Sequence, residues 1–111
     1  MRTLIMAGIL LASAGLTQAA EPIEGNWKTE SGETASIADC GKSFCITLKS
    51  GKYVGKTIGK LAGAGNAYTG QVTDPENDKT YEGSAKISGA SLKLQGCVLK
   101  VFCKTQTWTR L

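Results

Sequence analysis

Histidine is absent from this chain of 111 residues. That excludes Ser-His-Asp and Cys-His catalysis and most catalytic zinc sites. Carboxylates, lysine and tyrosine are left as the acid–base groups. Proline occurs only twice and aromatic residues make up 6% of the chain. No Pro-rich linker can be drawn from that, nor a basic surface interleaved with aromatics of the kind that binds nucleic acid. The formal net charge is +4, and the eleven lysines are dispersed without a basic run. They read as solubility and strand-edge protection, and no nucleic-acid partner is expected. Beyond the N-terminal region no apolar run approaches the length of about 20 residues that a membrane-crossing helix needs, so no transmembrane segment is expected.

What is present begins with the N-terminus. Met1-Arg2-Thr3 supplies one positive charge, an apolar run follows from Leu4 to Leu16, and Thr17-Gln18-Ala19-Ala20 closes it with small residues. This is the pattern of a secretory signal peptide. Thr17 and Ala19 fit the −3 and −1 positions, so the expected leader is residues 1–19, with a cut after Ala20 as the neighbouring choice. Residues 20–111 then form a single exported domain, periplasmic or secreted. A domain of that size buries only about 60–65% of its unfolded surface and is marginal on core packing alone.

The four cysteines are Cys40, Cys45, Cys97 and Cys103. An even number in a short exported chain reads as two disulfides. Spacing favours Cys40 with Cys45, around Gly41-Lys42-Ser43-Phe44, and Cys97 with Cys103. Each closes a short loop worth about 2 kcal/mol in the chain-entropy model. Alternation agrees with this pairing. With Phe44, Ile46 and Leu48 on one face, Cys45 falls with Thr47 and Lys49. With Leu92 and Leu94 inward, Cys97 falls with Lys93 and Gln95. Cys40 and Cys103 come out on the solvent side by the same reasoning. A four-cysteine zinc site would need narrower gaps, and no Cys-x-x-Cys occurs for redox work. No metal and no cofactor are expected.

Glycine punctuates the remainder about every ten residues, between short runs rich in Thr, Val, Ile and Tyr. Such spacing predicts an all-β sandwich or barrel. Strands are expected near 25–30, 33–40, 44–50, 52–58, 66–73, 79–88, 90–97 and 102–110, each joined to the next by a short turn. An up-and-down meander follows, and its closure removes exposed edges. Residues 59–65 read as the loosest part. Inward parity falls on Trp27, Ile37, Phe44, Ile46, Leu48, Tyr68, Val72, Tyr81, Ile87, Leu92, Leu94 and Trp108. That core is thin, with room for self-packing or for one small ligand.

Four segments resemble one family: Pro22-Ile23-Glu24-Gly25-Asn26-Trp27, Asp74-Pro75-Glu76-Asn77-Asp78-Lys79-Thr80-Tyr81, Leu92-Lys93-Leu94-Gln95-Gly96-Cys97-Val98, and Thr105-Gln106-Thr107-Trp108-Thr109-Arg110. The chain is similar over about residues 22–50 and 66–110 to exported bacterial proteins grouped as domain of unknown function 2147. Residues 51–65 stand in for a longer middle section common in that family. The resemblance implies a lipocalin-like, calycin-type barrel. It also implies structural roles for Gly25, Trp27 and Arg110, the guanidinium lying over the indole to close one end. No biochemical activity comes with it.

Three groups invite a chemical reading. Lys104, Gln106, Trp108 and Arg110 share a face, so Lys104 and Gln106 beside Trp108, with Tyr68 and Tyr81 among the inward aromatics, form a candidate ligand site for a small molecule with an acidic head group. Asp74, Glu76 and Asp78 resemble the opening of a calcium loop, but Lys79 and Ala85 stand where glycine and glutamate are needed. A solvated turn is the better reading, and the same acids make no glycosidase pair. Leu99, Val101 and Phe102 are apolar enough to anchor a partner. The expectation is a non-enzymatic binder of a small apolar or amphipathic ligand. The alternative is a protein-binding module, a hydrolase inhibitor or envelope-assembly partner, acting through loops at 41–44, 59–65 and 98–102.

Overall fold

A computed structural model describes residues 21–99 and 102–111. The leader and its expected junction at Ala19 lie outside the described residues, as does Val101. Among the described residues no helix is long and apolar enough to cross a membrane. The strands are β1 (Gly25–Lys28), β2 (Thr34–Asp39), β3 (Phe44–Leu48), β4 (Thr57–Ala64), β5 (Ala67–Asp74), β6 (Lys79–Ser88), β7 (Ser91–Val98) and β8 (Phe102–Arg110). They form a closed barrel in sequence order, every neighbouring pair antiparallel. Closure leaves the ladder without a long free edge except at one place, described below.

Alternation places the core. Trp27, Ile37, Phe44, Ile46, Leu48, Tyr68, Ile87, Leu92, Leu94 and Trp108 are buried as their parity requires, and Ile23, Ala35, Ile58, Leu61 and Ala85 join them. Val72 is only partly buried and packs against that cluster. Tyr81 is half-buried. Both disulfides take the pairing expected from spacing, Cys40–Cys45 and Cys97–Cys103. Their outward placement follows from the register: Cys45 pairs with Ala38 and Cys97 with Cys103, on the face opposite Ile37, Ile46 and Leu94.

One strand is displaced from its expected position. Residues 52–58 read as a strand and 59–65 as a loop, whereas β4 spans Thr57–Ala64 and the residues before it turn. Gly51 and Gly55 both sit at φ 90, a left-handed conformation that lets Lys52-Tyr53-Val54 turn despite their strand-forming side chains. The small residues that look loose are there because strands pass close together. A side chain at Gly59 would meet Ile46 Cδ1 at 2.7 Å, and one at Gly70 would meet the Leu61 backbone at 2.9 Å.

The two ends of the barrel differ. One end gathers the β2–β3, β4–β5 and β6–β7 turns with residues 21–24 and the end of β8. It is sealed. Ile23 is fully buried, and its carbonyl accepts the Trp27 Nε1 hydrogen at 3.0 Å. The Arg110 guanidinium lies 4.2 Å from the Trp27 ring centre and donates to the carbonyls of Glu24, at 3.0 Å, and Pro22. Gly25 is needed beside it, since a Cβ there would lie 2.9 Å from Arg110 Nη1. Glu21 completes the seal by accepting from the Gly65 amide at 3.1 Å and the Tyr68 hydroxyl at 3.3 Å.

Candidate functional site: a cleft at the open end of the barrel

The opposite end carries the β1–β2, β3–β4, β5–β6 and β7–β8 connections, and nothing comparable to the N-terminal seal covers it among the described residues. Here the barrel opens into a cleft of about 380 Å³. Its apolar floor comes from Leu48, Ile58, Leu94 and Trp108, with Val72 beside them, and Tyr53 and Tyr81 supply aromatic walls. The volume falls in the lower part of the range of small-molecule sites, about 300–1,000 Å³.

Small residues face the lumen beside the cleft, where neighbouring side chains and backbone leave no room for larger ones. Gly83 pairs with Gly70 and Gly96, so three glycines stand side by side on neighbouring strands. Val72 lies over them, with a methyl 2.9 Å from where a Gly83 side chain would begin and another 3.2 Å from that of Gly96. Val72 thus packs closely onto β6 and β7, and Gly96 is part of the cleft wall.

Of the residues expected to bind ligand, Tyr81, Lys104, Gln106 and Trp108 line this cleft together. Trp108 is 2% exposed, and its Nε1 donates to Gln106 Oε1 at 2.9 Å. The amide that seemed free for a ligand is thus partly used in holding the indole. Lys104 is exposed at the rim. Tyr68 is elsewhere. It is buried at the sealed end, edge-on to Phe44 with ring centres 5.6 Å apart and bonded to Glu21. Burial, and secondarily the Glu21 carboxylate, push its hydroxyl above the ordinary value of 10.0. Alternation puts Tyr68 and Tyr81 on the same face, but their heights along the barrel differ, and only Tyr81 reaches the open end.

Residues not singled out in the sequence complete the rim. Thr29, Ser31 and Glu33 come from the β1–β2 turn, Tyr53 from the β3–β4 turn, Asp74 from the end of β5 and Glu76 from the β5–β6 turn. An up-and-down order alone could have found them, because it sends alternate connections to one end. Thr29 is buried and ordered: its hydroxyl accepts from the Glu33 amide at 3.1 Å and shares a hydrogen with Ser31 at 3.1 Å. The acids at 74–78 behave as turn residues. Asp74 Oδ1 accepts from the Glu76 amide at 2.9 Å, Asn77 Oδ1 from the Lys79 amide at 2.9 Å, and Asp78 pairs with Lys56 at 2.9 Å.

These positions alter the electrostatics expected of the site. Among the described residues the lining contains three carboxylates, Glu33, Asp74 and Glu76, and the ammonium of Lys104. An acidic head group, which Lys104 alone would favour, meets more repulsion than attraction here. The four cysteines, being joined in pairs, offer no thiolate to a metal. The apolar residues named as a partner anchor are exposed at this same end, Leu99 by 80% and Phe102 by 70%.

Comparison with curated proteins and comparison with solved structures each give no match. Comparison with protein families gives one, to a family described as uncharacterized proteins conserved in bacteria, DUF2147, over residues 47–110. The matched stretch runs from the end of β3 through β8, including residues 51–65, and holds most of the cleft floor together with Lys104, Gln106 and Trp108. With more than half of its length matched, the chain belongs to the DUF2147 family.

Proposed function

We propose that this is an exported, non-catalytic binding protein of the bacterial envelope that takes a small, partly apolar molecule into the open end of its barrel. The observation that carries the reading is the cleft itself: an apolar and aromatic floor, open at one end only, in a barrel whose other end is sealed by its own chain. A pocket of that form offers burial to a hydrocarbon portion at about 25 cal/mol per Å² removed from water. The rim then acts on the polar end. With three carboxylates and one ammonium around it among the described residues, the favoured polar end is neutral or cationic. Two disulfides support folding in an oxidising compartment such as the periplasm. Catalysis has little to work with at this site, since the carboxylates lie on turns at the rim.

Native mass spectrometry of the oxidised protein with decanol, decyltrimethylammonium and decanoate tests the proposal. One-to-one adducts are expected with the first two, and weaker ones with decanoate. Absence of any saturable adduct with all three would overturn the small-ligand reading, and stronger binding of decanoate would overturn its charge preference.

A further inference from the structure

The barrel seam is short. β8 runs from Phe102 to Arg110 and pairs with β7 over its whole length, but only Thr109 and Arg110 pair with β1. From Phe102 to Thr107, β8 has no strand on its other side among the described residues, and all of these residues are exposed. Antiparallel ladders alternate between hydrogen-bonded and non-bonded pairs, the latter with closer Cα atoms. Cys97 and Cys103 face each other with Cα atoms 4.0 Å apart, the non-bonded kind. The backbone N–H and C=O of Cys103 therefore point away from β7, and the two-residue repeat extends this to Thr105 and Thr107.

Thr107 confirms the direction. Its N–H reaches Glu30 Oε2 at 2.8 Å, so a side chain of the β1–β2 turn fills the place of the missing strand. Cys103 and Thr105 have no such substitute among the described residues. Their unpaired groups repeat at the spacing of a β-ladder and border the notch between β8 and the β1–β2 turn. That notch opens into the cleft, because Lys104, Gln106 and Trp108 line it from one side and Ser31 and Glu33 from the other.

We propose that this edge of β8 is a docking site for an extended segment of another polypeptide, which joins the sheet as an added strand at Cys103 and Thr105 and turns its alternate side chains into the cleft. Main-chain bonds to an exposed edge supply affinity, and the pocket beneath supplies selectivity. In an antiparallel register the partner residue opposite Gln106 stands over Trp108 and is apolar. The partner residue opposite Lys104 is polar and neutral, since a cation would meet Lys104 and an acid would meet Glu33, Asp74 and Glu76 around the same cleft. The same lysine argues against a second copy of this chain as the occupant. Two β8 edges centred on each other would set Lys104 against Lys104. An inward-pointing charge is a known guard on edge strands, and here it blocks self-pairing while leaving room for a strand with a neutral residue at that place. The edge is available whether or not the cleft also takes a small molecule.

The probe is the peptide acetyl-Thr-Val-Thr-Gln-Thr-Leu-Thr-amide, with a second version N-methylated on the two threonines that flank glutamine. Each is titrated into the isotope-labelled, oxidised protein and followed by backbone amide spectra. Saturable binding is expected, with the largest shifts and the greatest gain of exchange protection at Cys103 and Thr105. N-methylation should weaken it by about tenfold or more. Thr105→Pro, which removes an N–H that the barrel itself does not use, should stay folded, lose the peptide and keep decanol binding. Equal binding of both peptides, shifts confined to the cleft, or no saturable binding at millimolar peptide would each overturn the proposal. So would a concentration-dependent dimer in light scattering that Thr105→Pro abolishes, because it would give the edge to a second copy. If Thr105→Pro melts early, comparison of the two peptides on the unaltered protein decides.

Discussion

Tyr68 and Arg110 are polar residues spent on sealing one end of the barrel. Arg110 gives its donors to the Glu24 and Pro22 carbonyls and its cationic face to Trp27. A lysine could not reproduce both, having no planar fork to stack and bond at once. Tyr68 holds Glu21 through its hydroxyl and buries its ring against Phe44. Its raised pKa carries a pH signature. In the folded state the proton is held more tightly than in the unfolded chain, so the stabilisation is full below pH 10 and is lost as pH rises through the higher folded value. Chemical denaturation at successive pH values above 9 should show stability falling across that window. Tyr68→Phe should flatten this dependence and cost about 1 kcal/mol at neutral pH, the worth of one hydrogen bond. An unchanged slope in the variant would mean that other groups set the alkaline limit.

At the scale of the strand, the glycines of β5, β6 and β7 decide the shape of the interior. Gly70 sits against the backbone of Lys60 and Leu61, which cannot step aside as a flexible side chain can. Gly70→Ala should therefore cost about 3 kcal/mol or more, read as a fall in the urea midpoint, with the β4–β5 amides losing exchange protection first. A loss below about 1 kcal/mol would show that β4 shifts freely, contrary to the close approach inferred here. The same elements mark what alternation could and could not reveal. Period-two patterning identified the inward face of β3, β6, β7 and β8 and the outward cysteines, because side-chain direction is a local property of an extended chain. β4 escaped it, since Tyr53 and Val54 carry strand-like side chains in a turn and Gly59 to Ala64 carry almost none in a strand. Height along the barrel axis escaped it too. Parity grouped Tyr68 with Tyr81, but only the register of all the strands separates the sealed end from the open one. Glu33, Asp74 and Glu76 were visible as polar turn residues, yet their convergence on one rim is a product of closure.

Taken whole, the molecule divides its interior into a packed half and an open half. The packed half holds Trp27, Ile37, Phe44, Tyr68 and Leu92, and the open half has Trp108 as its floor. Filling the open half should abolish small-ligand binding and leave the packed half intact. Gln106→Trp does this, and because it also removes the acceptor of the Trp108 Nε1 hydrogen, the variant should lose about 1–3 kcal/mol of stability, remain folded and lose the decanol adduct. Retention of the adduct would put the hydrocarbon somewhere other than the cleft.

The sealed end also fixes where the polypeptide enters and leaves the barrel. Glu21 is bonded to Gly65 and Tyr68, and Leu111 to Asn26, all at the pole remote from the mouth. Both points of attachment therefore lie at the back of the molecule. A surface fixed to the barrel at either point would hold it with the mouth directed away.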